Sequence, residues 1–105
     1  MQVDLHPEAQ SELRRAALWH DQQRADLGDE LFADVGSTLE RIATAPQAFP
    51  IWPTLPVSEN PIRRALLHRF PYALAFEIGA NRFLVLAVAH AKRRPFYWLA
   101  RRNLG

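Results

Sequence analysis

Prolines 46, 50, 53, 56 and 61 stand within one stretch of sixteen residues, and that spacing divides the chain more sharply than any other feature. Proline lacks a backbone donor and fixes φ, so Pro46–Pro61 cannot be a regular helix or an inner strand. Phe49, Ile51, Trp52, Leu55 and Val57 give the stretch apolar groups to bury, which a flexible linker would not have. It reads as an ordered loop between two halves of different periodicity.

The half before it has helical period. Pro7 suits a first helical turn, Glu8 and Glu12 complement the positive helix end, and Ala9, Leu13, Ala16, Ala17 and His20 follow at three- and four-residue spacings. This predicts a helix from Pro7 to about Leu27, stopped by Gly28. A second helix is expected to start at once, with Asp29 and Glu30 in its first turn and Leu31, Phe32, Val35, Leu39 and Ile42 as its buried stripe, ending before Pro46. Together they make an αα-hairpin. The half after the prolines has strand character over 62–70, 72–78 and 82–90, with breaks at Pro71 and at Gly79–Asn81 short enough to make three consecutive antiparallel strands. MQVDL at the start alternates like a short strand, and PFYWLARR at the end can form one or two helical turns. The expected fold is α+β: a two-layer sandwich of a helical hairpin on a mainly antiparallel sheet, one domain over 1–105.

Charge follows the same division. Residues 1–60 carry four arginines against ten carboxylates, a net of −6, whereas residues 61–105 carry nine cations against Glu77 alone, a net of +8. Twelve of the thirteen cations are arginine, whose planar fork grips carboxylate and phosphate bidentately, so an anionic macromolecular partner fits the basic half; a solvated basic face is the plainer alternative. The absence of cysteine excludes disulfides, thiol nucleophiles and thiolate metal sites, and suits a reducing cytosol. The histidines at 6, 20, 68 and 90 lack metal-ligand spacing, so neither metal nor cofactor is expected. The acidic N-terminus has no apolar run behind a basic start, and no segment has the apolar length of a membrane span; a soluble cytoplasmic protein is expected.

Glycine-rich phosphate loops, GxSxG and HExxH are all missing, and Ser11, Ser37 and Ser58 have no evident base beside them. What remains is His90, Lys92, Arg93, Arg94, Tyr97, Trp98, Arg101 and Arg102, which follow the most apolar strand. Cations interleaved with aromatics can neutralise phosphates and stack on bases, and they suit an acidic protein equally. Each also has a structural reading. Trp98 and Phe96 can fill the core edge, His90 can be a hydrogen-bonded strand end, and Arg69 can either cap a strand or face the same surface. Trp19 and His20 are assigned to packing.

Five segments in order resemble the RelE/ParE superfamily of small toxins: HPEAQSEL, DLGDELFADV, ATAPQAFP, HRFPYALAFEI and VLAVAHAKRRPFYWLARR. The resemblance implies a β-α-α-β-β-β fold with MQVDL as an edge strand, and a toxin neutralised by a cognate antitoxin in a hetero-oligomer. Such an antitoxin is expected to bury an apolar groove between hairpin and sheet while its acidic side chains meet the arginines. The superfamily's ribonuclease branch acts on messenger RNA at the ribosome and carries an arginine where this chain has Ala73. Tyr97 falls near that branch's C-terminal tyrosine, Arg93 and Arg94 could contact phosphate, and Arg69 or Arg64 would have to replace the missing cation. FPY and the His-to-Trp tail resemble the ParE branch more closely, whose members bind DNA gyrase and lack the nuclease set. This implies a binding surface of Arg69, His90, Arg93, Arg94, Trp98 and Arg101, joined by Tyr97 as a catalytic residue only on the ribonuclease reading. A toxin-like module that only binds an antitoxin is the third possibility.

Overall fold

The computed structural model describes residues 2–52, 60–94 and 96–103, with the side chains of 102 and 103 excepted. Strand β1 (Gln2–Leu5) leads into helices α1 (Pro7–Gln23) and α2 (Leu27–Thr44); β2 (Ile62–Leu66), β3 (Tyr72–Ile78) and β4 (Arg82–His90) follow, and a 3₁₀ segment spans Leu99–Asn103. The sheet order is β1-β4-β3-β2, with β1 parallel to β4 and the other pairs antiparallel. This is the expected β-α-α-β-β-β arrangement, with β1 at one edge. Of the five loop prolines, 53 and 56 lie outside the described residues, as do Leu55 and Val57.

Three local expectations are corrected. First, Gly28 does not stop α1. The helix ends at Gln23, Asp26 turns the chain in the left-handed region at φ 71°, and Gly28 belongs to the first turn of α2. Aspartate tolerates that conformation. Gly28 is needed for close approach instead: a Cβ there would stand 2.8 Å from the Ala17 carbonyl oxygen and from both Asp21 carboxylate oxygens. Its N–H donates to Asp21 Oδ1 at 2.7 Å, tying the two helices together.

Second, the strand expected over 62–70 ends at Leu66. The Asp34 carboxylate, on the buried face of α2, accepts the backbone N–H groups of His68 (3.1 Å), Arg69 (2.8 Å) and Phe70 (3.3 Å) and curls the chain away from the ladder. Third, Phe32, Trp19 and Ile51 are exposed. The buried stripe of α2 runs through Leu31, Asp34, Val35, Thr38 and Ile42, which leaves Phe32 on its rim. Trp19 meets the ring of His20 edge-on, while His20 itself packs against Phe70 and Tyr72.

The sheet is buried on both faces, not on one. Leu13, Leu31, Val35, Ile42, Leu74, Phe76, Phe83 and Val85 fill the space between hairpin and sheet. On the opposite face Ile62, Ala75, Leu86 and Ala87 are covered by Trp52 and by Trp98 from the tail. That double burial explains the unbroken apolar run of β4. A register shift opposite Ala75 and Phe76 leaves Leu86 without a partner in the β3–β4 ladder, so Leu86 and Ala87 both join the outer cluster.

Candidate functional site

β1 covers the edge of β4 only as far as Val85. Beyond that point the backbone of β4 needs other partners, because a buried orphan polar group costs about 1–3 kcal/mol. The side chains of Glu12 and Arg101 supply them. Glu12 Oε1 accepts the Val88 N–H at 3.1 Å, and Arg101 Nη1 donates to the Leu86 carbonyl at 3.0 Å. Glu12 also accepts from Arg101 Nη1 (2.9 Å) and Nη2 (3.3 Å), from Arg93 Nη1 (3.4 Å) and from the Tyr97 hydroxyl (2.5 Å). The Arg93 guanidinium lies 3.6 Å from the centre of the Tyr97 ring. One buried carboxylate of α1 thus clamps the C-terminal tail onto the sheet.

The clamp determines what several tail residues can do. Trp98 has no exposed surface, so it is a core residue rather than part of a contact surface. Its ring packs edge-to-face on Trp52 and Phe96, with Phe96 held at φ 70°, a conformation rare for a bulky side chain. Only 13% of the Arg101 side chain is exposed, and its charge is matched by Glu12, which removes it from the set of available cations. Burial, then the hydrogen bond to Glu12, holds the Tyr97 phenol well above its ordinary pKa. Its proton is committed to an internal acceptor.

A groove of about 480 Å³ lies on the sheet face opposite the helices. Leu66, Ala73 and Ala89 form its floor as directly paired residues of β2, β3 and β4. The two small alanines leave the depression. Arg64, Arg93 and Arg94 line it, with His90 at the end of β4. His90 Nδ1 accepts the Lys92 N–H at 3.0 Å and its ring meets Tyr72 edge-on, so it shapes the groove wall. Arg69 lies on the β2–β3 loop outside the groove lining, bridged to Glu30 at 2.8 Å and resting on Phe70. Arg24 bridges the same carboxylate, and the two guanidiniums lower the Glu30 pKa, with the Arg69 hydrogen bond the larger cause. The groove therefore lies on the outer sheet face, opposite the core cluster that packs hairpin and sheet together.

Of the residues singled out in the sequence, His90, Arg93 and Arg94 come together at the groove. Tyr97, Arg93 and Arg101 come together at Glu12, Trp98 lies beneath, and Arg69 stands apart. Glu12 and Asp34 were missed as organising groups. Their signal was legible: each is an acid on the apolar stripe of its helix, Glu12 among Ala9, Leu13 and Ala16, and Asp34 among Leu31, Val35 and Thr38. An acid in such a place must have internal partners. Among the described residues no group of three His, Asp or Glu side chains is placed to hold a metal ion, and no helix is long and apolar enough to cross a membrane.

No protein-family model and no curated protein sequence matches the chain. A solved structure does: a chain of the chromosomal ParDE TA system from P. aeruginosa superposes with a TM-score of 0.72 at 12% identity, covering 88% of this chain and 97% of that one. The fold is that of a ParDE-system chain. The superposition runs through most of both chains.

Proposed function

We propose that this chain is the toxin of a type II toxin–antitoxin pair, that it arrests growth in the cytoplasm by binding DNA gyrase, and that a cognate antitoxin neutralises it in a hetero-oligomeric complex. The superposition on a chain of a ParDE TA system supports the toxin–antitoxin assignment. The choice of binding over RNA cleavage rests on one observation: the only tyrosine of the basic tail donates its hydroxyl to the buried Glu12 carboxylate. A proton-transfer group works best with a pKa near the working pH, and burial with the Glu12 hydrogen bond pushes that of Tyr97 well above it. The groove floor has alanine at 73, where the resemblance to the ribonuclease branch calls for a cation. Arg93, Arg94, Arg64 and His90 form the contact surface, with Arg69 at its margin.

The test uses purified full-length protein in a gyrase supercoiling assay, alongside transcript integrity in cells during induction. Inhibited supercoiling with intact transcripts is the expected result. Rapid transcript cleavage with gyrase unaffected would make the chain a ribonuclease, and absence of any growth effect without the antitoxin would reduce it to an antitoxin-binding module.

A further inference from the structure

The groove's chemistry identifies what it accepts. Its floor is alkyl: Leu66, 60% exposed, with Ala73 and Ala89 beside it. Its aromatic neighbours have no free stacking platform. Trp52 is covered by the Arg64 guanidinium and packed on Trp98 and Phe96, and Tyr72 is held between the rings of His20 and His90. Tyr97 lies under Arg93. Phe70 packs on His20 with the Arg69 guanidinium over its ring. Single-stranded nucleic acid depends on stacking of bases on open rings, and each of these rings already has a partner. The cations, in contrast, have no carboxylate partner: among the described residues neither Arg64 nor Arg94 enters an ion pair, and Arg94 is exposed.

An alkyl depression rimmed by guanidiniums, two of them without an ion pair among the described residues, complements an aliphatic side chain flanked by carboxylates. We infer that this groove receives an acidic polypeptide segment carrying one leucine-like anchor, contributed by the protein target; this deepens the binding-toxin reading and rests on it. The anchor sits on Ala73 and Ala89 against Leu66, and carboxylates on either side of it meet Arg64 and Arg94. The anchor supplies affinity that salt does not screen, while the charges supply orientation and on-rate.

The test is fluorescence anisotropy on the full chain with a labelled short peptide in which a leucine is flanked by aspartates. Comparison probes are the same peptide with serine for leucine and a single-stranded RNA of equal net charge. The leucine peptide should bind about tenfold or more tightly than the serine peptide, as expected for burying one aliphatic side chain. Leu66→Glu and Arg94→Glu, both at exposed positions, should each weaken it by about tenfold with unchanged thermal unfolding. RNA bound as tightly as the peptide, or affinity independent of the leucine, would overturn the inference. Intact gyrase should displace the peptide; displacement by the antitoxin but not by gyrase would overturn the assignment of the segment to the target. Peptide binding that behaves as stated while supercoiling is unaffected would leave the groove's chemistry standing and remove gyrase alone.

Discussion

Arg101 and Arg94 stand seven residues apart in the same basic tail, yet they belong to two different regions of the molecule. Arg101 points inward, nearly buried, with Glu12 and the Leu86 carbonyl as partners. Arg94 is exposed at the groove rim and has no ion pair among the described residues. A distant acid makes the difference. One carboxylate on α1 converts part of a cationic cluster into structure, so the count of cations in a segment overstates the charge it presents to a partner.

The comparison breaks most visibly at Glu12. Glu12→Ala should cost about 3–5 kcal/mol, because it leaves a nearly buried guanidinium and a buried N–H without their acceptor. Urea unfolding measures this, and a loss below about 1 kcal/mol would mean that the clamp behaves as an ordinary surface pair. Asp34→Ala should cost about 2 kcal/mol by freeing three backbone donors of the β2–β3 loop. Amide exchange at 68–70 should accelerate in the same variant.

Tyr97→Phe should cost about 1.5 kcal/mol, the value of a hydrogen bond to a charged acceptor. It also carries a pH signature. An acid whose folded-state pKa is raised stabilises the fold below its unfolded pKa and loses that contribution as pH rises past it. Wild-type stability should therefore decline above the ordinary phenol value of 10, and Tyr97→Phe should flatten the decline. The smallest effect belongs to the outward ion pairs. Glu30 is held below its usual 4.5 by Arg69 first and Arg24 second, so its contribution is present above that value and fades as pH falls through the lowered one. NMR titration should place its midpoint under 4.5, with Arg69→Ala moving it upward.

These differences also mark how far residue patterns reach. The hairpin, the three-strand meander and β1 at the sheet edge follow from periodicity and from the proline-rich divide, because local spacing carries that information. His90, Arg93 and Arg94 are neighbours in the chain and remain neighbours around one strand end, so their proximity is legible in the sequence. Trp98 was drawn into the surface set by its flanking cations, although the outer face of the sheet needed it as cover. The groove itself depends on the cross-strand row Leu66–Ala73–Ala89, which no single segment displays. Gly28 shows the same limit: its place between two helices suggests a stop, but the backbone approach that requires it comes from Ala17 and Asp21 on the preceding helix.

The central claim is that the outward cations act on the target and the inward tyrosine serves the fold. Growth after tightly induced expression of wild type, Tyr97→Phe and Arg94→Glu, at matched soluble levels and without antitoxin, tests it most directly. Arrest by wild type and Tyr97→Phe alike, with Arg94→Glu harmless, is the predicted pattern. Harmless Tyr97→Phe beside a fully arresting Arg94→Glu would contradict it and return the tail to the role of a ribonuclease centre.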